Sequence, residues 1–149
     1  MIRYMIVEDE YVLGYRLERM ITALRPSWKM VCRTAGVEES IEALNEHEVD
    51  LIFMDIELSD GNCFEIFDTM EIRHPVIFIT AYDEYALQAF RVNSIAYLLK
   101  PISSDDLQRA MNKMKMLERH NPHENANGLQ QIIRTLCREE TFKTHFLIP

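Results

Sequence analysis

The sequence predicts an α/β domain in which a parallel sheet is wound by helices on both faces. Three observations predict it. Short apolar runs alternate with longer stretches of helical periodicity from residue 2 to residue 118. The central run, Leu51-Ile52-Phe53-Met54, has no apolar–polar alternation, as in a strand covered on both faces. Four of the runs end in groups that resist burial or carry chemistry: Glu8-Asp9-Glu10, Asp55, Thr80 and Lys100-Pro101. In an open parallel sheet the carboxyl ends of the strands lie together, along the edge where ligands bind.

Residues 2–7 form the first expected strand. Glu10 to about Leu24 reads as a helix, because Val12, Leu13, Leu17, Met20, Ile21 and Leu24 recur at spacings of one, three and four, and Pro26 closes it. Trp28 to Arg33 alternates loosely, as an edge strand with one less buried face does. A helix from Gly36 to His47 carries Val37, Ile41 and Leu44 on one face. Val49 to Met54 is the central strand, and Ser59-Asp60-Gly61-Asn62 is a polar loop after it. Phe64, Ile66, Phe67, Met70 and Ile72 give a short helix, and Pro75 leads into a strand from Val76 to Ile79. Tyr82 to Phe90 reads as another short helix, and Ile95 to Leu99 as the last strand. Ser103 or Ser104 caps the final helix, whose first turn holds Asp105 and Asp106, where negative charge is favoured. Its buried face is Leu107, Ala110, Met111, Met114 and Leu117. Five strands alternating with five helices require short right-handed crossovers. The flavodoxin-like strand order is one solution, and alternation alone does not select it.

The 149 residues are 48% hydrophobic, enough for one domain with a substantial core. A net charge of -8 repels nucleic-acid backbones, so this segment is not expected to bind DNA by itself. Cys32, Cys63 and Cys137 are odd in number and lack metal-ligand spacing, which fits a reducing compartment. The N-terminus MIRYMIVEDE enters a strand at once, without a signal peptide's apolar region. No apolar stretch approaches membrane-spanning length, and a cytoplasmic protein is expected. After His120 the pattern fades. NPHENANG reads as a linker, Leu129 to Leu136 as a short helix and TFKTHFLIP as a strand without a partner. The expected division is a domain over 1–120, a linker over 121–137, and the cut-away beginning of a second domain over 138–149.

Glu8, Asp9 and Asp55 are the principal chemical group. Like charges forced together raise a pKa unless a cation compensates. Hard oxygen ligands of this kind suit Mg²⁺ (or Mn²⁺), and a carboxylate beside such an ion can attack phosphorus. The plainer reading is three acids on surface loops. The Thr80 hydroxyl can hold a phosphoryl oxygen or cap the next helix, and Lys100 is a point charge for phosphate. Tyr97, three residues before Lys100, faces the other side of its strand, where a ring ordinarily packs.

IVEDE at 6–10, FMDIE at 53–57, ITAYDEYALQAF at 79–90 and AYLLKP at 96–101 together resemble the receiver domain of bacterial two-component response regulators, over about residues 1–120. AYDEYALQAF resembles in particular receivers of the LytTR class, whose second domain binds DNA, and TFKTHFLIP resembles the first strand of that domain. The resemblance implies a flavodoxin-like (βα)5 fold with sheet order 2-1-3-4-5. It implies Asp55 as phosphoacceptor from a histidine kinase, with the domain catalysing its own phosphoryl transfer and hydrolysis. Glu8, Asp9, Asp55 and the backbone carbonyl of Glu57 would hold Mg²⁺, Thr80 and Lys100 would contact the phosphoryl group, and Lys100-Pro101 would be cis. Tyr97 would switch rotamer with Thr80. A homodimer would form through the fourth helix, fifth strand and fifth helix, with Leu107, Met111 and Met114 shared between the sheet and the partner. DNA would be reached only through the missing C-terminal domain. The chain departs from the usual pattern at Ser59 and Cys63, where many receivers have proline and glycine. Two other readings are a Mg²⁺-dependent phosphohydrolase of small phosphate esters and a receiver-like interaction module that never carries phosphate.

Overall fold

The structure is a computed structural model, and it describes residues 1–92 and 94–118, with side chains described to Met114. The expected linker at 121–137 and second-domain start at 138–149 lie outside the described residues. Along the chain the elements are β1 (Arg3–Val7), α1 (Tyr11–Leu24), β2 (Lys29–Thr34), α2 (Val37–Glu46), β3 (Leu51–Met54), β4 (Glu57–Leu58) and β5 (Gly61–Asn62). They continue with α3 (Phe64–Thr69), β6 (Val76–Thr80), α4 (Ala86–Phe90), β7 (Ser94–Leu99) and α5 (Ser104–Glu118). Five strands form one parallel sheet in the order β2-β1-β3-β6-β7. Counting only those five, the order is 2-1-3-4-5, a flavodoxin-like receiver fold. β4 and β5 make a separate antiparallel hairpin.

The sheet has a core on each face, which is why its central strands carry no alternation. Tyr4, Ile6, Phe53 and Ile77 point to the side packed by Leu17 and Ile21 of α1 and by Leu107 and Met111 of α5. Met5, Val7, Ile52, Met54 and Phe78 point to the opposite side, against Val37 and Leu44 of α2 and Phe64 and Ile66 of α3. Every side chain of β3 is fully buried, and burying each stabilises by roughly 1.5–3 kcal/mol before entropy is counted.

Four expectations are corrected. Val12 is exposed, because the buried stripe of α1 is Gly14, Leu17 and Ile21. At 3.6 residues per turn, Val12 stands roughly 140° around the helix from Leu17. The helix expected from Tyr82 begins only at Ala86. The Tyr82 carbonyl, which a helix from there would offer to the Ala86 amide, instead accepts from the Tyr97 hydroxyl, and the Ala86 amide donates to the Asp83 carbonyl at 3.3 Å. Ser59–Asn62 is not an unstructured loop. Leu58 pairs with Gly61 and Glu57 with Asn62 around a Ser59-Asp60 turn. Gly61 has φ 153°, and a Cβ there would lie 2.1 Å from Glu65 Oε2, so only glycine fits. Leu107, Met111 and Met114 are buried within this domain's own core rather than shared with a partner. Of the two candidate caps for α5, Ser103 is the one used: its Oγ accepts from the Asp106 amide at 3.1 Å.

His74, just before β6, is half-buried, and its Nδ1 has no hydrogen-bond partner among the described residues. Burial pulls its pKa below the ordinary 6.5, and nearby Asp50 pulls part of the way back. The unfolded chain therefore takes up this proton before the native one does. Its contribution to stability is complete above the ordinary value and is lost as pH falls through the depressed native value. As pH falls from about 7.5 to about 5.5 the urea midpoint of His74→Asn should gain on that of wild type, because the variant lacks this loss.

Candidate functional site

The site sits at the carboxyl edge of the sheet, and each of its main residues is the first one past a strand. The ladder continues by one amide in each case. Glu8 N–H donates to the Thr34 carbonyl at 2.9 Å, Asp55 N–H to Val7 at 2.8 Å and Lys100 N–H to Thr80 at 2.8 Å. The parallel sheet thus fixes the Cα positions of two acids and a lysine far apart in sequence.

Their side chains meet. Lys100 Nζ donates to Glu8 Oε1 at 2.6 Å and to Asp55 Oδ2 at 2.9 Å. The other oxygen of Asp55, Oδ1, accepts from the Ile56 amide at 2.7 Å, and Glu8 Oε2 accepts from the Glu10 amide at 3.2 Å. Burial pushes Glu8 up to about 7; its bond to Lys100 opposes this and the charge on Asp55 adds to it. Burial alone would lower Lys100, but its hydrogen bonds to Glu8 and Asp55 outweigh that and raise it. Asp9 is exposed, and it completes a group in which one carboxylate oxygen each from Glu8, Asp9 and Asp55 lies within 4.8 Å of the others. A cleft of about 390 Å³ opens over them, lined in part by Asp9, Asp55, Glu57, Ala81, Tyr82 and Lys100.

The remaining expected site residues are less central. Thr80 is fully buried at the end of β6, with Oγ1 turned to the Tyr82 amide. Since α4 starts six residues later, this contact holds a turn and does not cap the helix. Tyr97 is half-buried on the Phe78 side of the sheet, ring centroids 6.2 Å apart, with its hydroxyl on the Tyr82 carbonyl. The Lys100-Pro101 peptide is cis. Cys63 is buried, and burial raises its thiol pKa, as does the charge on Asp55. It packs beside the site as an inert thiol.

Two residues near the site were not anticipated. Tyr82 stands at the rim, where a hydrogen bond to the Glu57 carboxylate raises its pKa. Asp60, at the hairpin turn, binds the first amides of α2. The glycine after Ser59-Asp60 was the available signal for the turn, since glycine is favoured at the position that closes a β-turn.

Residues 4–112 match the response regulator receiver domain family. The chain belongs to that family. Among curated relatives, the sensory transduction protein LytT of Bacillus anthracis is 33% identical over 118 residues, covering 77% of this chain and 48% of the relative. The transcriptional regulatory protein LytR of Staphylococcus aureus is 32% identical over 114 residues, covering 74% and 46%. The chain thus spans about half the length of the curated relatives it matches. The crystal structure of the response regulatory domain of protein mrkE from Klebsiella pneumoniae superposes with a TM-score of 0.68 at 25% identity, covering 76% of this chain and 95% of that one. This receiver domain is that of a response regulator with LytT- and LytR-like relatives, a class that works with histidine kinases and often dimerises. Among the described residues no helix is long and apolar enough to cross a membrane.

Proposed function

We propose that this receiver takes a phosphoryl group from a histidine kinase onto Asp55. The observation that carries the reading is the arrangement of Asp55 itself. Its carboxylate lies at the floor of an open cleft, oriented by the Ile56 amide on Oδ1 and by Lys100 on Oδ2, with two further carboxylates beside it. A carboxylate oxygen attacks phosphorus, the P–N bond to the donor imidazole breaks, and the departing imidazole nitrogen keeps the electron pair and takes up a proton. Orientation of the nucleophile and neutralisation of charge provide most of the acceleration.

The carboxylate set fits a hard divalent cation, because every donor is an oxygen and one side is open to the cleft. Glu8, Asp9, Asp55 and the Glu57 backbone carbonyl would hold Mg²⁺ or Mn²⁺. When bound, the ion supplies positive charge to the phosphoryl oxygens. Lys100 exchanges part of its contact with Glu8 and Asp55 for a phosphoryl oxygen. Thr80 turns its hydroxyl from the Tyr82 amide toward the same group, and Tyr97 leaves the Tyr82 carbonyl as it changes rotamer. The output face is that of α4, β7 and α5. Among the described residues, Leu87 of α4 and Leu99 of β7 are large apolar side chains exposed there. A symmetric dimer through this face would position a DNA-binding domain beginning near residue 138, in keeping with the regulatory name of the LytR relative. The compartment proposed is the cytoplasm.

Beryllofluoride with Mg²⁺ tests this. It should bind wild type only when the divalent ion is present, and the complex should sediment with a larger dimer fraction than the free domain. Leu87→Glu should still bind the phosphate mimic but remain monomeric. Binding that needs no cation would remove the metal from the site. An unchanged dimer fraction would remove the output face.

A further inference from the structure

The turn between β4 and β5 makes a contact that the phosphoryl chemistry does not use. Asp60 Oδ1 accepts from the Val37 amide at 2.6 Å, and Oδ2 from the Glu38 amide at 3.3 Å. These are the first amides of α2, whose own N-cap is Gly36 and offers no side chain. Ser59 reaches the same place, donating from Oγ to the Ala35 carbonyl at 3.1 Å. The bond to the Val37 amide holds the Asp60 carboxyl below the usual range, so the contact is made by the ionised group. The approach requires glycine at position 36, where a Cβ would lie 2.7 Å from Asp60 Oδ1.

The hairpin needs such an anchor. With two residues in each strand it has little stability of its own. Its base is built into the site: the Ile56 amide donates to Asp55 Oδ1, the Ile56 carbonyl accepts from the Cys63 amide at 2.7 Å, and Glu57 opens β4 at the cleft rim. The tip is fastened to α2 and the base orients Asp55.

We infer that Asp60 is a positioning residue for the Asp55 site: by tying the hairpin tip to the N-terminus of α2, it fixes the Ile56 amide against Asp55 and the Glu57 carbonyl at the cleft rim. The part concerning the carbonyl rests on the proposed metal site; the part concerning the Ile56 amide does not. The rival reading is that Asp60 only caps α2. The two separate when α2 is given a cap of its own. Gly36→Ser combined with Asp60→Ala does this, since a serine at the N-cap supplies a local acceptor and removal of the carboxylate leaves room for it.

Three measurements on wild type, Asp60→Ala and the double variant decide. These are the unfolding midpoint, hydrogen exchange of the Ile56 and Cys63 amides in the metal-free domain, and Mg²⁺ affinity. Asp60→Ala should lower the midpoint, speed exchange at both amides about tenfold and weaken Mg²⁺ binding about fivefold. The double variant should regain the midpoint yet keep the fast exchange and the weaker affinity. Recovery of all three in the double variant, or wild-type exchange in Asp60→Ala, overturns the inference. If wild type itself binds no Mg²⁺, the proposed metal site fails, and the exchange rates still decide for or against Asp60.

Discussion

Asp55→Asn should show no phosphoryl adduct by intact mass after incubation with acetyl phosphate and Mg²⁺, under conditions in which wild type gains one. The expected rate loss is at least ~10³-fold, as for removal of a nucleophile that nothing else replaces. An amide has no ionised oxygen to attack phosphorus, although its Oδ1 can still accept from the Ile56 amide. The fold should survive, because the Asp55 backbone amide is held by the Val7 carbonyl in either protein. A second readout is independent of phosphorylation. The charge on Asp55 contributes to raising Glu8, so the variant should return Glu8 part of the way from about 7 toward its ordinary value, measured by carbon-detected NMR titration. A base-labile adduct of undiminished yield in Asp55→Asn would move the phosphoacceptor elsewhere.

What the sequence conveyed, and what it hid, follow from the range of the interactions involved. Leu51–Met54 announced a doubly covered strand because burial on both faces leaves no polar position in the run, and all four side chains are indeed buried. Asp55 and Lys100 were legible as strand-end groups for the same reason: the chain turns polar where the cover stops. Their ion pair could be suspected from the shared edge of a parallel sheet, while its sharing with Glu8 needed coordinates. The hairpin was hidden because its anchor lies 23 residues away, on amides that any sequence possesses. The extent of α4 was overread because Tyr82 and the alanines around it suit a helix locally. A hydroxyl from β7 takes the Tyr82 carbonyl that a first turn would need. The apolar face of α5 was correctly located on Leu107, Met111 and Met114, but periodicity cannot say whether such a face meets its own sheet or a partner.

Lys100→Ala should lower the stability of the metal-free domain by about 2–3 kcal/mol at neutral pH, below the cost of breaking a fully buried ion pair because the cleft admits water. Glu8 and Asp55 are both buried and share this one ammonium, so its loss leaves two carboxylates facing each other without a cation. The pH dependence has a definite sign. Glu8 is already raised to about 7, and its bond to Lys100 is what restrains it. Removing the lysine raises it further. A raised native pKa means that the native state holds its proton where the unfolded chain has released it. The favourable contribution is complete below the ordinary value and is lost as pH rises through the native value. The deficit of the variant should therefore shrink toward about pH 5 and grow toward about pH 8. A divalent cation offers the missing charge by another route. Saturating Mg²⁺ should raise the urea midpoint of Lys100→Ala by more than it raises that of wild type, where the carboxylates already have a partner. Equal Mg²⁺ effects in the two proteins, or a deficit that does not change with pH, would show that Lys100 does not carry the charge balance of the site.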